Sequence, residues 1–165
     1  VGDDLARQAI AEYERGGYRA LYVTGGPLDR GGPLVEYRTF AELGAANILK
    51  MRPDLTGVAG VPAPPVKTDR TYASAVALKR WLNERGQTVR KLNLLSGGTH
   101  ARRSRMLFEM AFGPSTEIGV LAINEYNYDP KRWWTSSAGF RAVTNELIAY
   151  LYARVFFRAT EAASP

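Results

Sequence analysis

The sequence predicts an α/β fold, in which a β-sheet has helices packed on both faces. Two short runs are apolar at every position, 20–23 (ALYV) and 118–123 (IGVLAI), which is typical of buried parallel strands. Segments of about a dozen residues with apolar positions at helical spacing alternate with such runs. This alternation favours a single domain over residues 1–165, with about 159–165 as a flexible tail.

In chain order, the elements follow from apolar spacing and from stop signals such as paired glycines and prolines. The predicted helices are 5–15, 40–51, 72–86, 103–112 and 133–157, and the predicted strands are 18–24, 58–61, 92–95 and 118–123. Thr39 is expected to cap the second helix, since a threonine hydroxyl accepts a backbone N–H there. The segment 28–37 has no period and predicts a flap over the end of the first strand.

The composition of the chain limits the classes of partner that we expect it to bind. The chain has 22 Lys and Arg against 16 Asp and Glu, a net charge of +6, which favours anionic partners such as phosphorylated metabolites, nucleic acid or an anionic membrane surface. The charge does not choose among them; the loops described below lead us to expect an anionic small molecule. The basic residues form no stripe and no nucleic-acid-reading module, so no nucleic-acid partner is expected. Cysteine is absent, and no run approaches the ~18 apolar residues of a membrane span. Because residue 1 is Val, we expect an upstream segment that is missing from this chain, and any membrane contact through that segment.

The stretch 92–105 carries the strongest functional signal. A short apolar run is followed by a polar, glycine-bearing loop and then by a helix start, an arrangement that brings backbone N–H groups to an anion. The residues predicted to bind the ligand here are Ser96, Gly97, Gly98 and Thr99. His100, the only histidine, is the candidate for general acid–base work. Arg103 is expected to turn toward the loop as an anion donor, with Arg102 and Arg105 solvated.

Other loops are expected at the same edge of the sheet, because ligands gather at the carboxyl ends of parallel strands. Thr24, Gly25 and Gly26 follow the first strand, and Asp69 and Thr71 precede the third helix. Glu42 is the third candidate catalytic residue, expected to orient a ligand hydroxyl or to hold His100, although it equally suits the helix start electrostatically. All these loops are predicted to converge on one imidazole.

Several alternatives for the chemistry stay weaker or open. Ser96 is a poor nucleophile candidate because it precedes its glycines, unlike the Gly-x-Ser-x-Gly elbow. The phosphate loop of nucleotide-binding proteins and the Gly-x-Gly-x-x-Gly fingerprint are both missing. One histidine with dispersed acids predicts no transition-metal site, while a transient Mg²⁺ stays open.

The last helix is apolar nearly all round from 147 to 157, which indicates burial, or packing on a partner or on a missing segment. It has no lysines on a polar face, which argues against a helix that lies on a membrane surface. Trp133 and Trp134 open the predicted helix. We expect one of these rings in the core and Trp133 near the ligand, where an indole can stack on a planar group.

These residues together resemble the YdcF-like family of SanA- and ElyC-type envelope proteins. The resemblance spans about residues 21–150 and rests on the order and spacing of short motifs. Its carriers are Thr24-Gly25-Gly26, Glu42 with Ala45 and Leu49, Asp69-Arg70-Thr71, Ser96 with His100 and Arg103, and Trp133 with Glu146.

The resemblance implies a Rossmann-like three-layer sandwich with a mostly parallel sheet of about four to five strands. It also implies a pocket at the carboxyl edge, S-adenosylmethionine as a candidate cofactor, and the cell envelope, rather than the cytoplasm, as the compartment.

The function expected from the sequence is binding of a nucleotide-like molecule or a phosphorylated envelope precursor, with transferase or hydrolase chemistry in cell-envelope metabolism. The alternative is a non-enzymatic envelope-associated scaffold whose protein partner covers the last helix.

Overall fold

The computed structural model describes residues 3–28, 36–123 and 127–157. They form two compact units, 1–88 (unit 1) and 89–165 (unit 2). Unit 1 contains α1 (Asp3–Glu14), β1 (Leu21–Gly25), α2 (Phe40–Met51), β2 (Val58–Pro62) and α3 (Arg70–Glu84). Unit 2 contains β3 (Lys91–Gly97), α4 (Ala101–Phe112), β4 (Glu117–Ile123), a 3-10 helix (Pro130–Thr135) and α5 (Ser137–Val155).

The α/β class is confirmed, and each unit holds one β-α-β connection with parallel strands. In unit 1, β1 pairs with β2 from Leu21↔Val58 to Gly25↔Pro62. In unit 2, β3 pairs with β4 from Lys91↔Glu117 to Gly97↔Ile123. The described strands thus form two sheets of two strands each.

Unit 1 is held together by the helix that connects its two strands. Ile10 of α1 and Ile48 of α2 are buried, and Leu21, Val23 and Val58 of the strands pack against them. On α3 the buried positions Ala75, Leu78 and Leu82 recur at helical spacing, which confirms the apolar face predicted there.

The start of α2 confirms Thr39 as its cap. The Thr39 hydroxyl accepts from the backbone N–H of Glu42 at 3.1 Å, and the Glu42 carboxylate accepts from the N–H of Thr39 at 3.0 Å. This reciprocal pair is a capping box. The carbonyl of Gly26 also accepts from the N–H of Phe40, the first residue of the helix, at 2.9 Å.

Gly25 is required by close packing between a strand and a helix. A Cβ at Gly25 would lie 2.7 Å from the Cβ of Phe40 and 3.0 Å from the backbone nitrogen of Ala41. A Cβ at Gly60 of β2 would likewise lie 2.7 Å from the carbonyl oxygen of Ala41. The paired strands therefore lie directly against the first turn of α2, which leaves no room for side chains at these two positions.

In unit 2 the core lies between α4 and the strands. Leu107 is fully buried, and Phe108 and Phe112, one helical turn apart, stack with ring centroids 6.1 Å apart. Ile118 and Ile123 of β4 are also buried. The helix begins at Ala101, two residues earlier than the predicted start at residue 103.

The predicted single helix 133–157 is wrong. Trp133 lies instead in the 3-10 helix, which Asp129 caps and in which Arg132 has non-helical dihedral angles. A new cap then starts α5, since the Ser136 hydroxyl accepts from the N–H of Gly139 at 3.0 Å. Serine and aspartate compete with helical hydrogen bonding in this way and favour helix starts.

The expected burial of one tryptophan is also wrong. Trp133 is half-buried and Trp134 is 59% exposed. Much of the flap predicted at 28–37 and the tail at 159–165 lie outside the described residues.

Adjacent glycines test the packing at the end of β1. Gly25→Ala is expected to lower the free energy of unfolding by about 1–3 kcal/mol, because its methyl group would overlap the backbone of α2. Gly26→Ala is the matched control, since a Cβ there has nothing within 4 Å, and its effect should stay within about 1 kcal/mol. Urea unfolding followed by circular dichroism measures both. Equal effects of the two variants would contradict the close packing at Gly25.

Candidate functional site

The site in unit 2 is built where β3 ends and α4 begins. Residues 98–100 form the turn between them, and His100 occupies the cap position of α4. A Cβ at Gly98 would lie 3.0 Å from the carbonyl oxygen of Ile123, so the turn passes close to the end of β4. Thr99 follows in the same turn and is half-buried. Packing against the end of β4 is therefore enough to explain the glycine at position 98. Contact between Gly98 and a ligand stays a prediction.

Arg103 and Glu146 form a two-pronged ion pair between α4 and α5. The Arg103 Nε–H donates to Glu146 Oε2 at 3.0 Å, and Nη2 donates to Oε1 at 3.1 Å. Both side chains are largely buried, at 19% and 25% exposure. The parallel geometry matches a guanidinium fork to a carboxylate and fixes the direction of the arginine.

His100 joins this pair through one ring nitrogen. Its Nδ1 lies 2.9 Å from Arg103 Nη2 and 3.2 Å from Glu146 Oε2. Arginine only donates and an ionised carboxylate only accepts, so Nδ1 serves one neighbour at a time. With the proton on Nε2, Nδ1 accepts from Arg103; with the proton on Nδ1, it donates to Glu146. The cluster therefore has two proton arrangements of the same three side chains.

The electrostatics of Glu146 favour its ionised form. Burial raises the pKa of Glu146, but the hydrogen bonds from Arg103 and His100 and their charges outweigh burial, and the pKa lies below its ordinary value of 4.5. Glu146 is therefore a carboxylate at neutral pH and balances the charge of Arg103.

The arginines of α4 divide as predicted. Arg103 is turned inward, whereas Arg102 and Arg105 are exposed. The Arg102 guanidinium lies 5.7 Å from the ring centre of Tyr150, and Arg105 donates to Glu109 at 2.8 Å one turn along α4.

Ser96 contacts another serine. Its Oγ lies 3.2 Å from Oγ of Ser104, which is 5% exposed. Within the described residues no hydrogen bond joins Ser96 to His100, so the serine and the imidazole do not form a nucleophile–base pair there. This geometry agrees with the low weight that the sequence pattern places on Ser96 as a nucleophile.

Trp133 makes aromatic contacts. Its ring lies edge-to-face with Trp134 at 5.9 Å between centroids and 6.1 Å from Phe140. Its backbone carbonyl approaches Gly139 so closely that a Cβ there would overlap it. Trp133 thus packs the 3-10 helix against the start of α5, and stacking on a ligand stays a prediction.

In unit 1 the predicted site residues have structural roles. The Glu42 carboxylate accepts from the backbone N–H groups of Arg38 and Thr39 at 2.9 and 3.0 Å. The hydrogen bond from Arg38 is the largest cause of a lowered Glu42 pKa, and burial opposes it. The negative charge of Glu42 therefore lies at the start of α2, where backbone N–H groups already hold it. Thr24 and Gly25 lie in β1, and Gly26 follows it.

Asp69 is the backbone outlier of unit 1. It caps α3 with φ 55° and ψ 39°, in the left-handed region, and its side chain makes no capping hydrogen bond. A residue other than glycine in this region is strained, and such strain is concentrated at functional sites. Thr71 follows in the first turn of α3 and is half-buried.

A shallow, open depression of about 490 Å³ also lies in unit 1. It is lined by Glu36, Tyr37, Arg38, Glu42, Ala46, Leu49 and Gly60. Of the predicted site residues it contains Glu42, whose carboxylate is already held by backbone N–H groups.

The structure thus brings together His100 and Arg103 of the predicted catalytic residues, and adds Glu146. The predicted site residues do not include Glu146, although the family resemblance does. A spacing signal exists, because Gly139 and Ala153 lie seven residues before and after Glu146 and all three face one side of α5. The prediction that loops of both units form one site stays a prediction.

Among the described residues, no group of three or more His, Asp or Glu side chains converges in a way that would hold a metal ion. No described helix is both long and apolar enough to cross a membrane.

Comparisons with protein-family models, with curated proteins and with solved structures give no match to this chain.

Replacing Glu146 tests the ion pair. Glu146→Gln is expected to lower the free energy of unfolding by about 1–3 kcal/mol at neutral pH, the range of hydrogen bonds to charged groups. Because the folded-state pKa of Glu146 is lowered, its contribution is complete above the ordinary value of 4.5 and is lost as the pH falls through the folded-state pKa. The difference between the variant and the wild type should therefore shrink in acid, as urea unfolding across this pH range measures.

Glu109→Gln is the matched control for this experiment. Glu109 is exposed and pairs with Arg105 along the surface of α4. Such pairs contribute at most about 1 kcal/mol. A Glu146→Gln effect no larger than that of the control would contradict the role assigned to the buried pair.

Proposed function

We propose that the start of α4 binds an anionic small molecule, with Arg103 and His100 as its donors. The proposal rests on the hydrogen bonds that the Arg103 guanidinium makes and on the donors that it leaves unused. Three of its five N–H donors point at Glu146 and His100, and the pair on Nη1 has no acceptor among the residues that the structure describes. An arginine held this way has lost its rotamer freedom before a ligand arrives, which favours binding.

The charges of the cluster support an anion rather than a cation. Glu146 is ionised and neutralises Arg103, so the cluster is neutral when His100 is neutral and has one positive charge when His100 is protonated. An incoming phosphate or carboxylate therefore meets N–H donors and no unbalanced negative charge.

The contact between His100 and Glu146 suits proton transfer. When Nδ1 donates to Glu146, the neutral imidazole has its lone pair on Nε2, the tautomer of a general base oriented by a carboxylate. After Nε2 takes up a proton, the ring is an imidazolium that Glu146 stabilises, and Nε2–H is then the donor of a general acid. One imidazole thus supports either direction of proton transfer in a transferase or hydrolase.

The wider proposal follows the family resemblance. The ligand is then nucleotide-like, S-adenosylmethionine included, or a phosphorylated precursor of the cell envelope. The two β-α-β connections would belong to one Rossmann-like sheet of four to five strands, with Thr24, Gly26, Asp69 and Thr71 contributing further ligand contacts.

A second candidate function is a non-enzymatic interaction domain of the cell envelope. It is favoured by α5, which exposes large apolar side chains over most of its length. In that case the Arg103–Glu146 pair serves only to attach α5 to α4.

Arginine substitutions test the anion site. Titration calorimetry with inorganic phosphate, ADP, a hexose phosphate and S-adenosylmethionine is expected to detect binding of at least one of them to the wild type. Arg103→Gln should weaken that binding at least about tenfold, because each charge-assisted hydrogen bond contributes about 1.5–3 kcal/mol. Arg103→Lys, which keeps the charge but loses the fork, should also weaken it.

Arg102→Gln is the matched control. Arg102 directly precedes Arg103 and is exposed, and its substitution removes the same charge from the same helix turn. Circular dichroism at the titration temperature verifies that each variant is folded. An absence of binding by all four probes, or equal losses for Arg102→Gln and Arg103→Gln, would refute the anion site.

A further inference from the structure

One side of α5 is an exposed apolar surface. Each of its large side chains is at least half exposed, from 50% at Leu151 to 70% at Phe156. We call this set the apolar stripe: Phe140, Leu147, Ile148, Leu151, Tyr152, Val155 and Phe156. At about 100° per residue, five of the seven lie within an arc of about 100°. Six of the seven lie between residues 147 and 156, about 14 Å along the helix axis, and Phe140 lies near the helix start.

The opposite side of the same helix is already occupied. Gly139 and Ala153 are buried, and Glu146 between them pairs with Arg103 of α4. The helix is therefore anchored to unit 2 by one face while the apolar stripe points away from that face. This arrangement differs from an ordinary amphipathic surface helix, whose exposed face is polar.

The apolar surface continues into the 3-10 helix. Trp134 is 59% exposed, and its ring contacts Trp133, which lies 6.1 Å from the ring of Phe140 at the start of the stripe. Exposed indole and phenyl rings next to aliphatic side chains are typical of surfaces that enter the boundary between water and lipid.

The exposed charges beside this surface are almost all positive. Lys131 and Arg132 lie in the 3-10 helix, and Arg141 and Arg154 lie near the two ends of α5, all four exposed. Asp129 is the exposed acid of the described stretch 127–157, and the acid of α5, Glu146, is turned inward. The charge next to the apolar stripe is therefore that of four cations against one acid. The expectation from the sequence, that membrane contact needs an upstream segment, considered lysines of the helix alone and left out its arginines and the 3-10 helix before it.

We propose that the apolar stripe docks onto a bilayer surface that contains anionic lipids, with α5 lying in the plane of the membrane. The aliphatic and aromatic side chains enter the acyl boundary, and the four cations contact lipid phosphates, as in helices that lie on membranes. A second copy of the chain fits less well, because pairing two stripes would bring arginines of like charge together. The proposal does not depend on the anion site at α4.

The first test measures co-sedimentation of the whole chain with vesicles. Vesicles of phosphatidylglycerol and phosphatidylcholine are expected to bind the protein at least about tenfold more strongly than pure phosphatidylcholine, since each nearby cation contributes about fivefold. Ile148→Gln with Val155→Gln should lower binding to the anionic vesicles at least about tenfold, because two exposed apolar side chains no longer enter the bilayer. Met110→Gln, at an exposed apolar position on α4, is the control and should bind as the wild type does.

The charge requirement is tested separately. Arg141→Gln with Arg154→Gln should lower binding to anionic vesicles at least about tenfold, whereas Arg105→Gln, on α4, should have little effect. Equal binding to neutral and anionic vesicles, or no loss in the Ile148/Val155 variant, would overturn the proposal.

Sedimentation equilibrium without lipid tests whether a second copy of the chain, instead of a membrane, covers the apolar stripe. A monomer is expected. A dimer that Ile148→Gln with Val155→Gln dissociates would show that a second copy covers the stripe, and would overturn the proposal in favour of self-association.

Discussion

The carboxylate of Glu146 links two helices and a histidine through one group. It accepts two hydrogen bonds from Arg103 and lies within hydrogen-bond distance of His100, so α5 is attached to the first turn of α4 by charge as well as by packing. Removing either charged partner would leave the other largely buried and unbalanced, which costs more than an exposed pair would. The position of α5 and the direction of the Arg103 fork therefore depend on the same contact.

The glycines of the two β-α-β connections illustrate a different constraint. Paired glycines after a strand indicate a ligand loop in the sequence, because glycine lets a backbone approach an anion. In the structure Gly25 faces the first turn of α2, and Gly98 faces the end of β4. Packing inside each unit is thus a sufficient reason for both residues. The same pattern arises from close approach of backbone to backbone and from close approach of backbone to ligand.

The two faces of α5 have different surroundings. Its sequence is apolar nearly all round, which predicts a buried helix, yet only Gly139 and Ala153 are buried among its described residues. Glu146 pairs with Arg103 of α4, Gly139 lies against the Trp133 carbonyl and the Tyr128 ring, and the large side chains remain on the other side. A helix that is apolar on both sides has one surface for its own unit and a second for something else, which is the basis for the membrane proposal.

The sequence by itself determined the local structure: the α/β class, the order of helices and strands, and the capping box of Thr39 and Glu42 at the start of α2. These depend on spacing, capping and charge within a few residues. Only the tertiary structure decided that Glu146 lies beside His100, that the Arg103 fork is turned toward Glu146, and which side of α5 is covered. Glu146 lies 46 residues from His100 along the chain, and periodicity specifies which residues share a face but not which other element packs against it.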